Sequence, residues 1–277
     1  MNKAVSILDH LGAIFQEVSQ AVTSENRSRS LESEHNAKGD KVKWFDLAAD
    51  EAVCRYLKKR FPCSVVLLSE EGSPRQFGPG QPQFTMVLDP VDGSDNFGRQ
   101  MAPAGVAIAL IPQSVPISIE TIQFAFVGDL TTGRTCVAER GQGASCHGRR
   151  IRTSSVSTPE KAIISCELNH FTVQPPLASI LAGARGVRAL GCASGAIAMV
   201  ASGSLDAHLD LRNRLTPENF LAPSLILTEA GGTITDSAGN RIAEINSLTD
   251  RHSVIAAGTP ELHSALVQQL KGDSECT

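Results

Sequence analysis

The sequence predicts a layered α/β fold (α+β in its layering) in which helices and sheets alternate, and three observations predict it. Apolar residues recur at helical spacing near the start. Short apolar runs then replace them through the middle, and helical and strand patterns alternate from there to the end. A single domain over 1–277 is expected. One sub-lobe, about 1–155, would hold two helices and a β-rich segment; the other, about 156–277, would alternate.

Ile7, Leu11, Ile14, Phe15, Val18 and Val22 mark a first helix over about 3–22. The polar stretch from Ser24 to Lys43 reads as a loop, and Leu47, Cys54, Leu57 and Phe61 mark a second helix stopped by Pro62. Val65 to Leu68 and Phe84 to Leu88 are apolar runs that end in acidic residues, as buried strands do when they carry ligands at their tips. Gly105 to Ile111, Ile117 to Val127 and Arg134 to Ala138 read as strands, with a hairpin turn at Thr131-Thr132-Gly133. Ile163 to Cys166 and Leu205 to Leu211 are strands around a small-residue helix, Ala193 to Ser202. Thr216 is a good N-cap and Pro217 suits the first helical position, so a helix is expected from there to Glu229, closed by Gly231-Gly232. Strands at Thr233 to Thr235 and Val254 to Ala257, then a helix from Pro260 to Leu270, complete the chain.

Composition narrows the function. The 277 residues are 42% hydrophobic and 19% charged, an ordinary globular balance. A net charge of −4 and 4% aromatics argue against a nucleic-acid partner, which needs clustered positive charge or stacking platforms. No apolar run is long enough to cross a membrane, and the start does not read as a signal peptide. The seven cysteines, at 54, 63, 136, 146, 166, 192 and 276, are odd in number and form no CxxC pair. That argues against a disulfide framework or structural zinc, so reduced thiols in a cytoplasmic protein are expected. The histidines form no close ligand pair, and neither a Gly-x-Ser-x-Gly elbow nor a Walker loop occurs.

The chemistry concentrates in Leu88-Asp89-Pro90-Val91-Asp92-Gly93-Ser94. An apolar strand ends in Asp89, a proline-containing turn follows, and Asp92 arrives three residues later. Two carboxylates and an intervening carbonyl on one tight turn suit a hard cation such as Mg²⁺. The backbone N–H groups of Gly93 and Ser94 suit a phosphate oxygen. Taken alone, such a turn is more often an acidic surface loop. The context is Ser69-Glu70-Glu71-Gly72, a second strand end with acids, about twenty residues upstream.

These blocks, together with Glu229-Ala230-Gly231-Gly232, resemble the inositol monophosphatase family of lithium-sensitive, magnesium-dependent phosphatases, nearly end to end. The Lys43 to Asp50 segment and Asp210-Leu211-Arg212 are closer to its archaeal-type branch, with dual inositol and fructose phosphatase activity. The resemblance implies the sugar-phosphatase fold, hydrolysis of a small phosphate monoester by metal-activated water, two or three Mg²⁺ ions and a homodimer. It implies Glu70, Asp89, Asp92 and the Val91 carbonyl as metal ligands, and Asp46 and Ser94, hydrogen-bonded to each other, as the residues that with Glu70 and a metal orient and deprotonate the water. Asp40, in the loop from Asn36 to Lys43, would help to hold a third ion. Gly93, Ser94, Gly191, Cys192, Ala193 and Asp210 would meet the substrate, with Cys192 a pocket residue and not a nucleophile. Arg212 and Arg214 offer a place for a second phosphate.

The sequence departs from the family at its last ligand, usually an Asp eleven residues inclusive before the Glu-Ala-Gly-Gly block. Asn219 stands there, with Glu218 beside it. An amide oxygen can coordinate but brings no charge, which weakens a second metal site. Inositol monophosphate, fructose 1,6-bisphosphate and a 3′-phosphorylated nucleotide all fit the metal core. A paralogue that binds a phosphorylated ligand in a regulatory role without turning it over is the reading from another class.

Overall fold

The computed structural model describes residues 6–23 and 43–272. The loop expected from Ser24, with Asp40, therefore lies outside the described residues up to Lys43. The helices are α1 (Ile7–Thr23), α2 (Trp44–Arg60), α3 (Ser94–Gly98), α4 (Pro175–Gly183), α5 (Ala193–Ala201), α6 (Pro217–Glu229) and α7 (Pro260–Lys271). In the first half the strands are β1 (Val65–Ser69), β2 (Gly72–Phe77), β3 (Phe84–Asp92), β4 (Gly105–Pro112), β5 (Phe124–Asp129), β6 (Thr135–Glu139), β7 (Gly143–Cys146) and β8 (Arg149–Arg150). The second half supplies β9 (Ile163–Cys166), β10 (Gly186–Arg188), β11 (Ala207–Leu215), β12 (Thr233–Thr235) and β13 (His252–Ala257).

The first eight strands form one sheet, ordered β2-β1-β3-β4-β5-β6-β7-β8, and the last five a second, ordered β10-β9-β11-β13-β12. Both are mixed: β1–β3, β9–β10 and β9–β11 run parallel, and the other pairs antiparallel. Period-two alternation sorts their side chains into three cores. On β4, Val106, Ile108 and Leu110 pack under α1 and α2, while Ala107, Ala109 and Ile111 point the other way, toward α5 and α6. On β13, Val254 and Ala256 join that central core, and Ile255 and Ala257 pack with α4 and α7 on the far side. The result is helices, sheet, helices, sheet, helices. Small residues on the inner face of β4 let α6 lie close against the first sheet.

Most expected elements are present near their predicted bounds. The strand expected over Ile117 to Val127 is shorter: a 3₁₀ turn occupies Ile119–Thr121, closed by Thr121 and Ser118, and β5 begins at Phe124. The expectation of reduced thiols fails at one place. Cys136 and Cys146 oppose each other across the β6–β7 hairpin and are joined as a disulfide. A spacing of ten carries no signal in the sequence, and the hairpin register is what brings the pair together. No helix among the described residues is long and apolar enough to cross a membrane.

Candidate active site

The parallel pairing of β1 with β3 builds the site. Ser69 stands opposite Leu88, so the next residues, Glu70 just past the end of β1 and Asp89 on β3, come side by side at the same end of the sheet. Beyond Asp89 the pairing of β3 with β4 slips, and Asp92 pairs with Gly105. Pro90 sits in that irregularity, where its missing N–H breaks no ladder bond. Glu70, Asp89, Val91, Asp92, Gly93 and Ser94 line one cleft of about 170 Å³, with Arg214, Thr216, Asn219 and Arg251 completing the wall.

Each carboxylate is held by a different neighbour. Asp92 is buried, and its Oδ2 accepts the N–H of Ser194 at 2.6 Å, serving as a cap for α5 that Cys192 at the N-cap does not supply. Burial still pushes the Asp92 carboxyl up, against the hydrogen bonds from Ser194 and Cys192. Burial and the charge of Asp92 push the Cys192 thiol well above its usual range, which keeps it neutral and a poor nucleophile. Asp89 accepts the Val91 N–H at 3.0 Å on Oδ1 and the Asn219 Nδ2 at 2.8 Å on Oδ2.

Asp46 lies at the start of α2, buried, accepting the Lys43 backbone N–H at 2.9 Å. Burial, reinforced by the charge of Glu70, lifts its carboxyl to about 7, against that hydrogen bond. The expected Asp46–Ser94 hydrogen bond is replaced by another. Lys43 Nζ donates to Ser94 Oγ at 3.2 Å and pairs with Asp95, so Lys43 ties the start of α2 to the turn that carries Ser94. No pattern in the sequence points to Lys43 in this role, because only the folded chain brings positions 43 and 94 together.

The proposed substrate residues divide. Gly93 has φ +79° and backs onto the Gly191 segment: a Cβ there would lie 3.0 Å from both the Gly191 carbonyl and the Cys192 Cβ. Gly191 and Leu190 are in turn held by Glu167 Oε1 through their N–H groups. Gly191 and Cys192 therefore back the Gly93 turn, and with Ala193 they are outside the cleft lining. Asp210 and Arg212 are outside the lining as well. Asp210 is fully buried and bound by both arms of the Arg212 guanidinium, at 3.0 and 2.6 Å, so Arg212 is engaged within the fold. Arg214 lines the cleft, as does Arg251, an isolated arginine in a loop that no sequence pattern singled out.

Asn219 is placed as expected, at the first turn of α6 facing Asp89, but its amide is turned. Its Oδ1 accepts the Thr216 N–H at 3.1 Å, closing the helix start, and the Thr216 hydroxyl lies 3.0 Å from the same oxygen. Its nitrogen, and not its oxygen, faces the carboxylate. The buried Glu218 carboxylate accepts the Thr216 hydroxyl.

A profile of one protein family matches residues 4–274: the inositol monophosphatase family. The chain belongs to the inositol monophosphatase family. A fructose-1,6-bisphosphatase/inositol-1-monophosphatase of Methanothermobacter thermautotrophicus is 30% identical over 239 residues, covering 85% of each chain. Mouse inositol monophosphatase 2 is 26% identical over 264 residues, 92% of this chain and 85% of that one. In fold the chain is similar to the Thermotoga maritima IMPase, with a TM-score of 0.77 at 23% identity over 95% and 96% of the two chains. As an inositol monophosphatase family member, the chain is a phosphomonoesterase. Glu229 of the Glu-Ala-Gly-Gly block has a structural place in it, accepting the N–H groups of Gly141 and Gly143 at 2.7 Å each and clamping the β6–β7 turn.

Whether the residues fit a divalent cation can be judged from the donors. Glu70, Asp89, Asp92 and the Val91 carbonyl are hard oxygen donors on one cleft, the chemistry Mg²⁺ selects. Burial, with a smaller contribution from the charge of Glu70, raises the carboxyls of Asp46 and Asp92, so both would gain from a cation held beside them. Among the described residues no three His, Cys, Asp or Glu side chains already stand in a metal-holding arrangement. The donor set fits on the Glu70 side of Asp89. On the Asn219 side it does not, because an N–H donor faces the carboxylate there.

Proposed function

We propose that the chain hydrolyses a small phosphate monoester, of the inositol monophosphate or fructose 1,6-bisphosphate type, in a Mg²⁺-dependent reaction. The observation that carries this is the parallel β1–β3 register, which sets Glu70 beside Asp89 in the cleft that also holds Val91, Asp92, Gly93 and Ser94. The names of the archaeal relatives, bifunctional for fructose 1,6-bisphosphate and inositol monophosphate, support that substrate range.

Glu70, Asp89, Asp92 and the Val91 carbonyl would hold the cation. When bound, Mg²⁺ supplies charge neutralisation on the phosphate and acidification of a water. Asp46 is outside the cleft lining and buried beside Glu70, with its carboxyl lifted to about 7, so it would act on an attacking water by way of Glu70, its charged neighbour on the cleft wall. Ser94 Oγ accepts from Lys43, which leaves its own proton to point at an acceptor in the cleft. The amides of Gly93 and Ser94 would receive phosphate oxygens, held at the right depth by the packing of Gly93 on Gly191. Arg214 and Arg251 replace Arg212 as the groups for the rest of an anionic substrate. A homodimer remains part of the proposal, on the family resemblance. A cytoplasmic location loses its argument from reduced thiols, because Cys136 and Cys146 are joined as a disulfide.

The test is phosphate release from inositol 1-phosphate, fructose 1,6-bisphosphate and 3′-phosphoadenosine 5′-phosphate, with Mg²⁺ and with EDTA, beside Asp89→Asn. Magnesium-dependent release lost in Asp89→Asn supports the reading. Binding of these esters without turnover would overturn it in favour of a phosphoester-binding protein.

A further inference from the structure

The side of Asp89 that faces α6 carries the least expected contact in the cleft. Asn219 reaches across 130 positions of sequence to donate its amide N–H to Asp89 Oδ2 at 2.8 Å. The direction of that amide is fixed by its other end. The Thr216 backbone N–H can only donate, so the atom 3.1 Å from it must be the amide oxygen, and the nitrogen must face Asp89. The Thr216 hydroxyl lies 3.0 Å from the same oxygen. Turning the amide over would set N–H against N–H at the start of α6 and leave the cap unmade.

The other oxygen of Asp89 accepts the Val91 N–H, so both of its oxygens meet protein N–H donors. Arg214 and Arg251 line the same cleft and add positive charge to it. A divalent cation seated between Asp89 and residue 219 would meet the positive hydrogens of the Asn219 amide instead of an oxygen.

We propose that Asn219 acts as a built-in hydrogen-bond donor that occupies the place of a cation beside Asp89, so that this chain binds one divalent ion fewer than the same fold with a carboxylate at position 219. The inference rests on the metal-dependent reading above, but its test counts ions and uses no substrate. Failure of turnover would therefore leave the count standing, and failure of the count would leave turnover to be judged by phosphate release. An aspartate at 219 can still accept the Thr216 N–H, so Asn219→Asp preserves the helix cap while exchanging the donor for an acceptor.

The experiment is Mn²⁺ binding to the full chain, followed by titration calorimetry and by the electron paramagnetic resonance signal of free Mn²⁺. Asn219→Asp should bind one more equivalent than the unmodified chain, and the extra equivalent should vanish when Asp89→Asn is added. Without metal, Asn219→Asp should melt lower than the parent, because two carboxylates then face each other, and Mn²⁺ should reverse the difference. Equal stoichiometry in the parent and Asn219→Asp overturns the inference. Asn219→Ala gives a second reading should Asn219→Asp prove too unstable without metal to titrate. With the donor gone, Mn²⁺ should bind severalfold more tightly than to the parent, and unchanged or weaker binding overturns the inference.

Discussion

Replacing Asp46 with asparagine should change how the stability of the metal-free protein depends on pH. In the fold its carboxyl is lifted to about 7 from an ordinary 3.8, first by burial and then by the charge of Glu70. The folded state therefore keeps a proton that the unfolded chain releases near pH 4. A raised carboxyl stabilises the fold fully below the unfolded value, and that contribution is lost as pH climbs to about 7. A gap of about three pH units at about 1.4 kcal/mol each gives a loss on the order of 4 kcal/mol. At a few degrees per kcal/mol for a chain of this size, the melting point should fall by roughly 10 °C. Asparagine is nearly the same shape, can still accept the Lys43 N–H, and does not titrate. The assay is thermal melting in EDTA at intervals from pH 4 to 8, parent against Asp46→Asn. Asp92 is shifted the same way, and buried His208 and His263, held neutral, oppose it by favouring the fold at higher pH. All three are common to both proteins and cancel in the difference. Superimposable pH profiles would refute the reasoning, and with it the case for Asp46 as a group that titrates near neutrality.

Two further outcomes are expected. Arg214→Ala with Arg251→Ala should raise KM for fructose 1,6-bisphosphate about tenfold or more, with a much smaller effect on a singly phosphorylated ester, since truncating a charged anion contact costs about 1.5–3 kcal/mol. Equal effects on both substrates would remove the two arginines from recognition of a second charge. Breaking the Cys136–Cys146 bridge, which closes a loop of sequence separation ten, should cost about 3 kcal/mol, read by denaturant unfolding with and without reductant. Denatured without reductant, the chain should also show two fewer free thiols than after reduction.

Local pattern carried the elements and the acidic face of the cleft. The end of β1 before Glu70, the apolar run of β3 up to Asp89, and the start of α6 at Thr216 and Pro217 are written in adjacent residues, because a strand's reach and a helix cap depend on what lies within a turn or two. The alternation of β4 into two cores likewise follows from period two. Element types survived even where their ends moved, as at β5, where Ser118 and Thr121 bond each other and delay the strand.

What the tertiary structure decided is the partner of each side chain. Position 219 could be found by counting from Glu229, but which face of its amide meets Asp89 depends on Thr216 taking the oxygen. Arg212 looked as available as Arg214 until β11 turned it onto the buried Asp210, where the fold requires its charge. Lys43 on Ser94, Arg251 in the cleft and Cys136 against Cys146 join residues set by sheet register and layer packing. Sequence determines which groups a chain owns and how each local segment folds. A hydrogen bond, an ion pair or a shift in a carboxyl's proton affinity needs atoms within a few ångströms and burial around them, and those exist only once distant segments have packed.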